Sequence, residues 1–444
     1  MLVLGALMSA LTQAIAVATG RDFLFGVIPA FDPSGSRNLI TWASSMLLIT
    51  CASMAALVAG TKRLRADPSA RGWWVLAAFM GTCSLAWMTG LARLWVDAFA
   101  VPPLATWVPV AAGAMLAIFA LTGSRRASSP SLWTAVWPAA LLLALSGRTL
   151  GRPGGVAAAS DLMSRVLEWI AMASLLLICV RLLAKSGPVF ALRVDADGVW
   201  PLRLGYRDSV VEALVCPAVV RRWIVAAIML LTAAGVVSAL RAQALGASDD
   251  SWYRFLFVDF EGNLPTWFSA VLLLVAGVAA AVVAMAERSR GHEAWWHWAL
   301  MALGFAALSA DEAASLHELL VTPLRTLVGG TPWLRYPLVI PGTAVVGAAV
   351  VVFGRFVRRL PAETQRAIVV GGGVFLFGAL GLETIGGWFD PVLHGDSVRY
   401  VLLATAEEAC EMTGVTIVLV GLLRYIEQHV GVIEIRVIDD LSHR

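Results

Sequence analysis

The chain has 444 residues, of which 59% are hydrophobic and 14% are Asp, Glu, Lys or Arg. A soluble domain carries about 25% charged residues, so this composition excludes an ordinary soluble globule, and a mean hydropathy of +0.79 implies many apolar spans. The net charge of +3 is spread over many loops and offers no basic face to nucleic acid.

In chain order, apolar runs able to cross a hydrocarbon core of about 30 Å fall near 2–19, 38–60, 73–95, 105–123, 131–147 and 162–184. A second set falls near 223–243, 264–286, 293–320, 337–356, 366–386 and 398–425. The expected fold is an all-α integral membrane protein of about 12 transmembrane helices. The run that begins at Met1 has no basic segment before it and no clear cleavage site after it, so it is expected to stay as a helix. Cys51, Cys83, Cys179, Cys216 and Cys410 show no CxxC or Cys/His spacing and read as free thiols in apolar helices. Lys occurs only at Lys62 and Lys185, and with so much Ala, Gly and Arg this suggests a bacterial inner (cytoplasmic) membrane.

Loops rich in Arg alternate with loops that are not. Lys62 to Arg65, Arg125-Arg126, Arg221-Arg222, Arg288 with Arg290, and Arg355 with Arg358 and Arg359 form one set. Asp249, Asp250, Asp259, Glu261, Asp390 and Asp396 mark the other. The positive-inside rule places the basic loops and both termini in the cytoplasm.

The two halves read alike. Asn38-Leu-Ile-Thr-Trp42-Ala-Ser44 matches Asn263-Leu-Pro-Thr-Trp267-Phe-Ser269, and each precedes an apolar run, a basic loop and a paired Trp (Trp73-Trp74, Trp295-Trp296). Ala144 to Thr149 matches Ala379 to Thr384, and Val166-Leu-Glu168 matches Ala406-Glu-Glu408. The expected organisation is two tandem six-helix repeats, 1–185 and 221–426, related by an axis along the membrane normal. Between them, 186–220 reads as a cytoplasmic linker in which Phe190–Val194 and Val199–Arg203 flank a turn at Asp195–Gly198. The tail, 427–444, is expected to add a strand to that hairpin.

The second repeat carries ionisable residues where the first mostly does not. Matched on the paired Trp, Asp311-Glu312 stands opposite Thr89-Gly90 and His317 opposite Trp95. Glu383 stands opposite Arg148, and Glu407 and Glu411 opposite Leu167 and Ala171, while Glu408 keeps an acidic counterpart in Glu168. Charges inside a bilayer cost at least about 2.5–3.5 kcal/mol each, so they face a bundle interior or water and are paired, protonated or bound to a cation. Asp311, Glu408 and Glu411 are the primary candidates to bind an ion or substrate, followed by Glu312, His317, Glu383 and Glu407. Asp259 and Glu261 would form an outer vestibule that draws cations in. The structural alternatives are helix capping by Asp259, Glu261 and Asn263, a Glu383–Arg399 bridge, and an interhelical network.

Three functions fit this pattern. The leading one is translocation of a cation, a proton or a cation-coupled small-molecule solute across the lipid bilayer. The second is a membrane-embedded enzyme acting on a lipid-like substrate at the outer leaflet, with Asp311, His317, Glu408 and Glu411 holding a divalent metal ion. No late HxxxH pair of the kind found in alkaline ceramidases is present, and Glu312 and His317 do not make the ExxH spacing of ferritin-like di-iron sites. The third is a non-catalytic subunit of a membrane complex.

Overall fold

The computed structural model describes residues 38–89, 175–183, 189–194, 202–207, 210–246, 250–328, 338–386 and 397–436, with isolated positions between 8 and 31 and between 91 and 173. The expected spans at 2–19, 105–123 and 131–147, the Asp195–Gly198 turn, and Arg148, Glu168, Asp390 and Asp396 lie outside the described residues. The protein is mostly helical. Its described helices are α1 (Leu39–Leu64), α2 (Ala70–Met88), α3 (Pro217–Leu245), α4 (Ser251–Leu256), α5 (Leu264–Ser289), α6 (Trp295–Ala314), α7 (Leu316–Val328), α8 (Val339–Val357), α9 (Ala362–Leu376) and α10 (Val398–Tyr425). α9 runs on through a π-helical turn, Phe377–Leu382, and α10 through another, Ile426–Val430. Among the described residues, six helices are long and apolar enough to cross a membrane: α1, α3, α5, α8, and α9 and α10 with their extensions.

Four strands, β1 (Val189–Val194), β2 (Leu202–Arg207), β3 (Val210–Val215) and β4 (Ile433–Arg436), form one sheet in the order β2-β3-β1-β4. The hairpin expected between Phe190–Val194 and Val199–Arg203 does not form, because β2 pairs with β3. Two residues link β2 to β3 whereas seven separate β1 from β2, and the shorter closure costs less chain entropy.

The chain divides into two compact units, the first comprising Met1–Leu192, Arg203–Ala213 and Glu434–Arg444, the second Arg193–Leu202 and Leu214–Ile433. In the first, α1 packs along α2. Leu48, Cys51, Ala55 and Val58 of α1 meet Trp73, Leu76 and Met80 of α2, with Trp169, Met172 and Leu175 closing the cluster. In the second, α10 is central and packs against α3, α5 and α9, while α5 packs along α6. Glycine sets the α9–α10 distance: a Cβ on Gly371 would lie 2.7 Å from the Gly414 carbonyl oxygen, and one on Gly378 2.8 Å from that of Glu407. Small residues of this kind let membrane helices approach backbone to backbone.

The α1–α2 and α5–α6 hairpins repeat each other in detail, 225 positions apart (263 minus 38). Each first helix has 26 residues and an Asn N-cap, whose Oδ1 accepts from Thr41 N (2.8 Å) in one and Thr266 N (3.1 Å) in the other. Each turn contains a left-handed residue, Ala66 (φ 54°) or Gly291 (φ 75°). The next amide, Asp67 or His292, bonds back to the Lys62 or Glu287 carbonyl. A side-chain pair closes each turn with the acid and the basic residue exchanged: Lys62 with Asp67, and His292 with Glu287. Midway along, Ser84 Oγ donates to the Ser45 carbonyl (2.8 Å) as Ser309 Oγ does to that of Ala270 (2.8 Å).

This geometry moves the match made on the paired Trp by three residues. The equivalent buried indoles are Trp73 and Trp298, so Asp311 stands opposite Ala86, Glu312 opposite Trp87 and His317 opposite Ala92.

Candidate functional site

The site grows from the end of α6. The expected span 293–320 is not one helix: Ser315 adopts a left-handed conformation (φ 49°), ends α6, and its amide bonds to the Asp311 carbonyl (2.7 Å). The chain then turns into α7 and brings His317 back over Asp311. Asp311 Oδ1 accepts from the His317 backbone N–H (2.8 Å), as a capping carboxylate does, and Oδ2 lies 3.0 Å from His317 Nδ1. The other ring nitrogen, Nε2, lies 3.8 Å from Glu261 Oε1. The imidazole thus stands between two carboxylates. The break also puts Glu318 on a different helix from Asp311.

The loop that carries Asp259 and Glu261 is held by apolar and polar contacts together. Tyr253, Phe257 and Phe260 pack with ring centroids 4.9–5.7 Å apart. Asn263 Nδ2 donates to the Phe257 carbonyl (2.6 Å) while its Oδ1 caps α5, and Thr266 Oγ1 donates to the Phe260 carbonyl (3.2 Å). Capping therefore belongs to Asn263, and the two acids face elsewhere. Tyr400 of α10 donates to Asp259 Oδ2 (2.9 Å), and Glu261 faces His317. Asp259 keeps an exposed edge, but burial raises its carboxyl above the usual range; the Tyr400 hydrogen bond opposes that rise and Glu318 adds to it.

Deeper in the unit, Glu312 has the Ser269 hydroxyl of α5 as a polar neighbour. Its carboxylate is an electrostatic neighbour of Glu408 and Glu411 on α10. Glu383, one residue past the π-helical turn of α9, faces His317 and Asp311, and Glu407 faces Glu383 and Asp259. π-helical turns occur often at functional sites because they re-aim the residues around them. The candidate acids and His317 thus fall in one region of the second unit. Among the described residues, Glu312, Glu383, Glu407, Glu408 and Glu411 form no ion pair with Lys or Arg, and the expected Glu383–Arg399 bridge is not made.

Among the described residues, no three His, Cys, Asp or Glu side chains converge as a metal-holding group. Asp311 and His317 touch each other, and Glu312 is an electrostatic neighbour of both as well as of Glu408 and Glu411, with His317 also a neighbour of Glu411. Motif reading missed Ser269 and Tyr400. Ser269 had a signal, since it closes the repeated Asn-Leu-x-Thr-Trp-x-Ser motif, whereas Tyr400 had none.

A family model described as a domain of unknown function (DUF8692) matches residues 222–426, the stretch that holds every candidate side chain. No curated protein and no solved structure matches the chain.

Proposed function

We propose that this is a polytopic membrane protein that carries a proton, a cation or a cation-coupled solute through the carboxylates of its second unit. One observation carries the reading: five glutamates within an apolar helical unit have no Lys or Arg partner among the described residues. Carboxylates so placed need a proton or a mobile cation as their counter-charge. The Asp311–His317–Glu261 arrangement supplies a protonatable bridge toward the loop that bears Asp259.

The wider plan is two tandem six-helix repeats in a bacterial inner membrane, with both termini and the sheet in the cytoplasm. The hairpin correspondence supports duplication, and loop charge supports the orientation. Asp311 lies 16 residues, or about 24 Å, along α6 from Trp295, which with the loop charges supports an outer-half position for the cluster. Reporters fused after Arg126 and after Asp250 should then lie on opposite sides of the membrane.

The test is flux. Purified protein in liposomes loaded with a pH-sensitive dye should acidify them under an imposed gradient, and a Glu408→Gln, Glu411→Gln variant should not. Equal flux from wild type and variant would remove the proposal for protons, and a parallel panel of alkali cations tests those ions in the same way.

A further inference from the structure

On the outside of the α5–α6 hairpin lies a groove of about 480 Å³. Its floor is made of small residues, among them Gly277, Ala281, Ala302 and Ala306. At Gly277 the helices nearly touch, since a Cβ there would sit 3.2 Å from the Ala302 carbonyl oxygen. Its rim is apolar and exposed: Val278 is 56%, Met285 62% and Leu303 67% accessible. From Leu274 to Arg288 the groove follows 14 residues of α5, about 21 Å. That is about one leaflet of a hydrocarbon core plus the start of its headgroup layer.

Only one end is polar. There the Arg288 guanidinium stacks over Trp295, 4.8 Å from the ring centroid, and among the described residues it has no carboxylate partner. Stacking occupies the face of the guanidinium and leaves its N–H edge for a bidentate acceptor. α6 begins at the same end, where Trp295 N and His297 N already bond the His292 and Ala294 carbonyls, so the helix adds only the positive end of its dipole. A helix start of this kind favours an anion.

From an apolar trough one acyl chain long with a cationic end, we propose a binding site for an anionic phospholipid. The chain lies on Gly277, Ala281 and Ala302, and the phosphate meets Arg288. Basic pockets beside membrane helices on the cytoplasmic side take such headgroups. The site rests on the membrane reading above but not on the transport reading, because none of its residues belongs to the acidic cluster.

The test uses the whole chain in mild detergent, titrated with phosphatidylglycerol or phosphatidylcholine of identical chains and read by native mass spectrometry and thermal midpoint. Wild type should bind phosphatidylglycerol about fivefold more tightly. The exposed change Arg288→Gln should equalise the two lipids, and Ala281→Phe should weaken both. Equal affinities in wild type, a preference that survives Arg288→Gln, or equal protection by inorganic phosphate would each overturn the assignment. Arg288→Gln should keep wild-type proton flux, so loss of lipid preference and loss of transport stay separable. Release of the chain from membranes by alkaline carbonate would sink the membrane reading itself.

Discussion

In the first hairpin, the hydroxyl of Ser44 accepts the indole N–H of Trp169 (2.9 Å), and Trp87 stands where the second hairpin has Glu312. In the second, Ser269 occupies the place of Ser44 and neighbours the Glu312 carboxyl. The frame around these positions is otherwise the same: the Asn cap, the left-handed turn residue and the mid-helix serine-to-carbonyl bond all recur. The first hairpin thus folds with an indole where the second hairpin has Glu312. The Ser44–Ser269 pair sets a hydroxyl beside an indole in one hairpin and beside a carboxyl in the other.

The largest effect should come from taking the acid out of the second hairpin. Glu312→Gln keeps the shape of the side chain beside Ser269 and removes its ionisable group, so flux should fall to the level of empty liposomes while the thermal midpoint holds or rises. A midpoint that drops together with flux would return Glu312 to a structural role. The converse change, Trp87→Glu, puts an acid into the first hairpin without the partners of the second. It should cost about 2.5–3.5 kcal/mol, read as a lower denaturation midpoint, and should create no flux.

Next comes the backbone contact that only the second unit displays among the described residues. A side chain at Gly378 meets the Glu407 carbonyl oxygen at 2.8 Å and Glu411 Cγ at 3.0 Å. Gly378→Leu should push α9 from α10 and cost about 1–3 kcal/mol. It should also reduce flux more than the loss of folded protein explains, since Glu407 and Glu411 move. Unchanged flux per folded molecule would separate the π-helical turn from the site.

Much of this was readable in the sequence where local chemistry decides structure. Asn38 and Asn263, followed by Thr at the third position, announce caps, and the apolar runs behind them announce α1 and α5. The acids were visible because charge is rare in such a chain. What the sequence did not reveal was where the helix after Trp295 ends. Ser315 is an ordinary residue in a left-handed conformation, and periodicity carries no trace of it, so the Asp311–His317 contact stayed hidden behind a continuous helix. A hint existed 225 positions earlier, where Gly90 occupies the matching place. The three-residue error in matching the halves has a similar cause. Paired tryptophans are conspicuous, but burial selects Trp73 and Trp298 (4% and 1% exposed) as the equivalent pair.

Asn caps should show a smaller difference between the hairpins. Each Asn→Ala change loses a cap worth about 0.5–2 kcal/mol. Asn38 belongs to the first unit, whereas Asn263→Ala frees the Phe257 carbonyl and loosens the loop bearing Asp259 and Glu261. The stability losses should be comparable and the flux losses should not. Equal flux in both variants would mean that the loop is not on the path.

The smallest effect lies in the two hairpin turns, and pH can single out one of them. Asp67 is partly buried, which alone would raise its carboxyl, but hydrogen bonds from Lys62 and Ser69 and the nearby Lys62 charge hold it below the usual range. A carboxyl with a lower pKa in the folded state stabilises above its unfolded value, about 3.9, and that contribution fades as pH falls through the folded value. Its size is that of a surface pair, about 0.2–1 kcal/mol. Asp67→Asn should therefore lower the midpoint slightly at pH 6 and flatten the acid limb of the stability profile below about pH 4. A profile that Asp67→Asn leaves unchanged would show that Lys62 and Asp67 meet without stabilising the turn, and that the left-handed residue and its backbone bonds alone hold the hairpin shut.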